Sequence, residues 1–336
     1  MTAKSSSRSR LFFRSRAEAR SPFVGLGSSA GSLLLAGVML SAGALLTGCN
    51  FSKLAADQTA QLLDQAAPAL DGFWDYDLAG IGTPGAIMQL EAFHAITPDN
   101  EALSLNLAKA YVGYAVGWVE SDYEVAYAIG DMDKADRLRQ RARLLYLRAR
   151  NLALHALHVR DGKIDAVLAK HDDAALATYL KDNYTDKEQV GPVLWTGLAW
   201  GAAINMSLDQ PDLIAELPTA KTFVLRAVEL DAGYFNGGAY VFLGAMESAF
   251  PKAMGGDPEK GRAYFEEGLK LTKRTNHMML VNYARVYAVN TQNRELYVKL
   301  LNEVIEAGDL GNGVRLSNKV ARRRAERYLA QTKELF

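Results

Sequence analysis

The sequence predicts an all-α protein. No segment alternates apolar and polar residues between Asn-Gly or Asp-Gly turns, as paired strands would. Apolar residues instead recur at helical spacing along nearly the whole chain, and proline, glycine and capping residues punctuate it at helix-length intervals.

Taken in order, Thr97-Pro98-Asp99 separates two helices, and Leu105, Ala108, Val112 and Ala115 form the apolar stripe of the second. Leu144, Leu145, Leu147, Leu152 and Leu154 belong to a long helix from about Lys134 to Val159. Gly191-Pro192 and Gln210-Pro211 are breaks in the middle of the chain. Asp257-Pro258 offers an N-cap followed by proline in a first turn. The count comes to about eleven or twelve helices.

A repeat emerges when helices are compared. Small, bulky and a further residue recur at i, i+4, i+7 in Ala86…Leu90…Phe93, Ala142…Tyr146…Ala149, Ala220…Val224…Ala227 and Gly261…Phe265…Gly268. That spacing puts all three on one face, where the small residues admit a neighbouring helix and the bulky one fills the gap. Partner helices carry Leu107-Ala108…Tyr111, Leu198-Ala199, Tyr240…Leu243-Gly244 and Tyr283-Ala284…Tyr287. The device resembles the tetratricopeptide repeat and implies an α-α superhelix of degenerate helical hairpins. Spacing is irregular, with insertions between Ala115 and Lys134 and between Ile204 and Ala220, and the last pair, Leu296…Leu300…Glu303, barely matches.

The N-terminal segment has a different physical layout. Lys4, Arg8, Arg10, Arg14, Arg16 and Arg20 precede an apolar stretch from Gly31 to Leu46, which ends in Leu46-Thr47-Gly48-Cys49. Basic head, apolar middle and small residues before a cleavage point make an export signal, too short to span a bilayer. The tetrapeptide resembles a bacterial lipobox, which implies a signal at 1–48 and lipidation at Cys49. The expected layout is then a lipidated segment with lead-in helix at 49–70 and, from the repeat, a helical-repeat domain at 71–336. The lipobox resemblance further implies palmitate-type acyl chains, and Asn50 after the cysteine resembles the sorting pattern for the outer membrane. As the sole thiol, Cys49 leaves neither disulfide nor thiol catalysis to the mature chain.

The whole chain carries 38 basic and 38 acidic residues; without residues 1–48 the balance is 32 against 37. That mild acidity gives no footprint for nucleic acid. Arg322-Arg323-Arg324 reads as a solvated face near a helix end.

Leu194-Trp195-Thr196-Gly197-Leu198-Ala199-Trp200-Gly201-Ala202-Ala203-Ile204 resembles the T component (TatT) of TRAP transporters. So do, in order, Ile96-Thr97-Pro98-Asp99-Asn100 with Leu107-Ala108-Lys109-Ala110-Tyr111, Gly255-Gly256-Asp257-Pro258 with Tyr264-Phe265, and Leu316-Ser317-Asn318. This resemblance implies a periplasmic, lipid-anchored transport accessory working beside a substrate-binding protein. It also implies self-association, with a trimer expected, and handling of small organic ligands. The alternative is a scaffold lipoprotein for envelope or pilus assembly without a small ligand.

Enzyme signatures are missing from the mature chain: after Cys49 no GxSxG, P-loop or HExxH occurs, and no dinucleotide fingerprint opens a helix. The expectation is a non-enzyme without cofactor or metal. His155 and His158 share a face near Asp161 but lack a third strong ligand. Asp71, Asp75 and Asp77 lack the glycine and distal glutamate of a calcium loop and fit a connection into the repeats. Gly255-Gly256 fits a turn before an N-cap. In a hairpin solenoid the first helix of each pair lines the inner surface. Counting two residues on from Leu107, Leu198, Leu243 and Tyr283 selects Lys109, Trp200, Ala245 and Arg285. Trp200 with Lys109 and Arg285 could receive an organic anion, ring to apolar body and cations to carboxylate. The competing assignment puts Trp200 in the core and both cations in solvent.

Overall fold

A computed structural model describes residues 48–250, 252, 256–311 and 313–336, and among these every regular element is helical. The signal at 1–48 therefore falls almost wholly outside the described residues, as does Gly255.

The chain opens with α1 (Gly48–Asp71), α2 (Tyr76–Ile96) and α3 (Glu101–Tyr114), which passes through a π-helical stretch, Ala115–Val119, into α4 (Glu120–Ala128). The long α5 (Met132–Arg160) follows, then α6 (Lys163–Leu168), α7 (Asp173–Asn183), α8 (Val190–Asn205), α9 (Pro211–Ile214) and α10 (Leu217–Asp231). The last part holds α11 (Tyr234–Ser248), α12 (Pro258–Leu271), α13 (His277–Asn282) with a second π stretch at Tyr283–Ala288, α14 (Arg294–Glu306), α15 (Arg315–Ala330) and α16 (Thr332–Leu335). Single-turn segments such as α6, α9 and α16 raise the number of helices above the sequence count, because one turn is too short to show a period.

Local chemistry explains the boundaries. Asp75, Asn100, Asp131, Asp172, Asp257, Asn276 and Asn293 each accept a hydrogen bond from a first-turn amide, satisfying one of the otherwise orphaned donors. Gly191-Pro192 proves not to be a break. Both residues lie inside the first turn of α8, where a missing proline N–H costs nothing. In α11 Phe235, Asn236 and Gly237 have φ of 51, 50 and 71°, so a left-handed turn precedes the regular helix.

Packing follows the chain. Helix α3 lies on α5, α5 on α8, α8 on α10, α11 on α12, and α14 on α15. Helix α8 is buried nearly all round, as an apolar helix inside a core should be. Trp195, Ala199 and Ala203 face a cluster with α3 and α5, whereas Val193, Leu194, Trp200 and Ile204 face one with α7 and α10. A third cluster joins α11 to α15 through Phe265, Tyr283, Tyr297 and Leu301.

Three of the four small–bulky triads sit in these contacts. Ala142, Tyr146 and Ala149 are fully buried, as are Ala220 and Val224, with Ala227 nearly so. Gly261 shows why the small residue matters: a Cβ there would lie 2.8 Å from the Gly244 carbonyl oxygen and 2.9 Å from the Ser248 amide nitrogen. The fourth triad is corrected. Ala86 is exposed, and α2 instead buries Ile87 and Leu90. The last pair also shifts by one residue, with Tyr297, Leu300, Leu301 and Val304 inside and Glu303 paired with Arg274. Both departures occur near the ends of the helical array, where a helix has one neighbour fewer to define its buried face.

Candidate functional site

A dense polar cluster joins helices near the two ends of the array, α4 and α15. It starts from the π-helical stretch after α3, where the wider turn leaves backbone carbonyls free to accept from elsewhere. The Gly117 carbonyl accepts from the Tyr76 hydroxyl at 2.7 Å, and that of Val116 from Arg324 Nη2 at 3.0 Å. One turn on, Glu120 and Glu124 stand at i, i+4 on α4, facing Arg324, Arg327 and Tyr328 at i, i+3, i+4 on α15. Arg324 Nη2 donates to Glu120 Oε2 at 2.8 Å and lies 3.6 Å from Glu124 Oε1. Arg327 donates to Glu124, and the Tyr328 hydroxyl to its other oxygen at 2.8 Å. From α5, Tyr146 donates to Glu120 at 2.5 Å.

Arg324 is only 6% exposed. Burial works against its charge, but Glu124, Tyr328 and Glu120 more than offset this and hold its pKa above the usual arginine value. Burial likewise raises the Tyr146 and Tyr328 hydroxyls, so both remain protonated donors. Outside the cluster, Arg323 covers the Tyr76 ring at 4.2 Å and meets Asp77 at 3.2 Å. The arginine run is therefore only partly a solvated face: Arg322 and Arg323 are exposed, whereas Arg324 is buried. Arg322 alone of the three pairs within its own helix, with Glu326. Two guanidiniums against two carboxylates form a balanced clasp between elements some two hundred positions apart, with no group poised to attack a substrate or shuttle a proton.

The three positions proposed for an organic anion have three separate sets of neighbours. Lys109, half-buried on α3, acts on Asp71, whose carboxyl burial raises while the lysine pulls it down. Trp200 is 8% exposed; its indole N–H donates to Glu216 at 2.6 Å and the Arg150 guanidinium lies over its ring at 5.1 Å. Arg150 also pairs with Glu216 at 3.3 Å. Arg285 is exposed on the second π stretch, 5.6 Å from the centre of the Tyr328 ring. Sequence reasoning missed Arg150 and Glu216, since nothing in an arginine-rich helix marks which side chain will meet a distant tryptophan.

Three of the five histidine rings have hydrogen-bond partners within the fold. His158 meets Asp165 at 2.6 Å, His155 the Pro98 carbonyl at 2.9 Å, and His94 Ser104 at 3.1 Å. Among the described residues no three His, Cys, Asp or Glu side chains are grouped to hold a metal. Asp75 caps α2, and Cys49 is the second residue of α1. No described helix is long and apolar enough to cross a membrane.

Residues 74–336 match the family model described as TRAP transporter T-component. An uncharacterized protein of Treponema pallidum (strain Nichols) is 24% identical over 231 residues, covering 69% of this chain and 71% of the relative.

Proposed function

Because this chain belongs to the TRAP transporter T-component family, we propose that it is a non-enzymatic, lipid-anchored accessory of a TRAP uptake system that docks the soluble substrate-binding protein. The observation carrying the reading is the family match over residues 74–336, which spans everything from the start of α2 to the C terminus. The lipobox resemblance at Cys49 supports an anchor on the periplasmic side of the envelope, in the outer membrane by the sorting pattern at Asn50. Tethering would raise the partner's effective concentration near the membrane without any new contact. Self-association, as a trimer, belongs to the same reading.

A small organic ligand at Lys109, Trp200 and Arg285 would extend it. Arg150 covers the Trp200 ring, so an entering ligand must displace that guanidinium or share it. Unchanged ligand affinity by calorimetry in both Trp200→Ala and Arg285→Ala would remove this extension.

The test of the main reading is capture of the substrate-binding protein of the same TRAP system by the lipidated chain. The expected result is stoichiometric co-purification from solubilised membranes, with Cys49→Ser releasing the chain from the membrane fraction. Failure of the parent to retain the binding protein would refute docking, and membrane retention of Cys49→Ser would refute the anchor.

A further inference from the structure

One face of α5 carries more cations than the structure neutralises. Lys134, Arg137, Arg141 and Arg148 fall within about 60° of one another around the helix, with Leu144 between them. All five are exposed, and Leu144 is 62% exposed. Only two acids answer them. Asp133 opens the same face, and Glu91 on α2 takes Arg148 in a two-point bond at 2.8 and 2.6 Å. Arg137 has no ion pair among the described residues, and the face keeps a surplus of two positive charges.

The row is held in place. Arg141 lies 5.5 Å from the centre of the Tyr114 ring and donates to its hydroxyl at 3.2 Å. Arg148 is fixed because Glu91 is also held by the Tyr111 hydroxyl at 2.7 Å. Between α5 and Tyr111 runs an open groove of about 520 Å³ whose floor includes Leu145. Ordered cations beside a groove and an exposed leucine lose less entropy on binding than free side chains would.

From these features we infer that this row is a docking surface for an acidic patch on the partner substrate-binding protein. The inference rests on the function proposed above and names the surface used. Charge complementarity selects an acidic occupant. Size selects a protein: the fourteen residue steps of helix from Lys134 to Arg148 extend about 21 Å, longer than a small carboxylate can bridge. The concave groove and the central leucine suit a side-chain-bearing surface better than a flat bilayer.

The test uses the lipidated full chain in detergent and the purified binding protein of the same system. Arg137→Glu with Arg141→Glu should lower affinity at least tenfold, and the parent's association rate should fall steeply between low and high salt. Leu144→Ala should weaken binding several-fold without altering the salt dependence. Lys170→Glu, an exposed cation outside the row, should change nothing. A parent that never binds would overturn the functional reading itself. A parent that binds, beside a doubly reversed variant that binds equally well, would overturn this surface alone. Loss of binding to phosphatidylglycerol vesicles with partner affinity intact would reassign the row to the membrane and also overturn it.

Discussion

Replacing Arg324 by methionine should strip the clasp of its central cation while keeping most of the apolar stem. Glu124 keeps Arg327 and the Tyr328 hydroxyl. Glu120 is left with the Tyr146 hydroxyl and no cation, and the Val116 carbonyl loses its donor. Removing one partner of a buried pair costs about 3–5 kcal/mol, chiefly from the charge left behind. The lower figure applies here because only one of the two carboxylates is stranded. The unit Cys49–Phe336 unfolds with an entropy of about 0.6 kcal/mol/K, so about 3 kcal/mol lowers Tm by about 5 °C. Thermal unfolding followed by circular dichroism measures this, and hydrogen exchange should speed up in α4 and α15 before other helices. Adding Glu120→Gln should recover part of the loss, since the stranded group is then neutral. A single variant within 1 °C of the parent, or a double variant whose loss equals the sum of the two singles, would refute the account of the clasp.

Tyr146→Phe should cost about 1–3 kcal/mol, because Glu120 loses a buried donor and nothing replaces it; chemical denaturation with an unchanged m-value checks it. Gly261→Ala should cost about 1–3 kcal/mol, since the new methyl meets backbone that must move. Ala86→Leu, at the corresponding place in the first triad, should stay within about 0.5 kcal/mol because the site is exposed. Burial depresses the His277 pKa below 6.5, with Glu303 pulling it back, so the folded state binds fewer protons than the unfolded chain. Its contribution is complete above the unfolded value of about 6.5 and is lost as pH falls below it. Desolvation and Arg148 shift His94 in the same direction, so His277→Gln should flatten only part of the acid limb in a Tm-against-pH series.

Much of the fold was legible in the residues. The helix from about Lys134 to Val159 appears as Met132–Arg160, because its leucine spacing and its Asp131 cap are local facts. Asp257-Pro258 starts α12 as a capping aspartate before proline should. The triads at Ala142, Ala220 and Gly261 mark buried contacts because close helix approach demands small side chains at fixed spacing. Ala86 shows the limit: the same spacing arises by chance on an amphipathic helix, and only a neighbour decides which face is covered. The sites were far less legible. Trp200 was singled out, but Arg150 and Glu216, which hold it, were not.

Helix content, helix ends, the family resemblance and the layout around Cys49 are properties of near neighbours in the chain, so the sequence alone determined them. The meeting of α15 with α4, the burial of Arg324 between two glutamates, and the surplus of cations along one face of α5 were decided by tertiary structure. Pairing charges across some two hundred residues depends on how successive helices turn relative to one another. That rotation accumulates from packing at every interface and is written in no single segment.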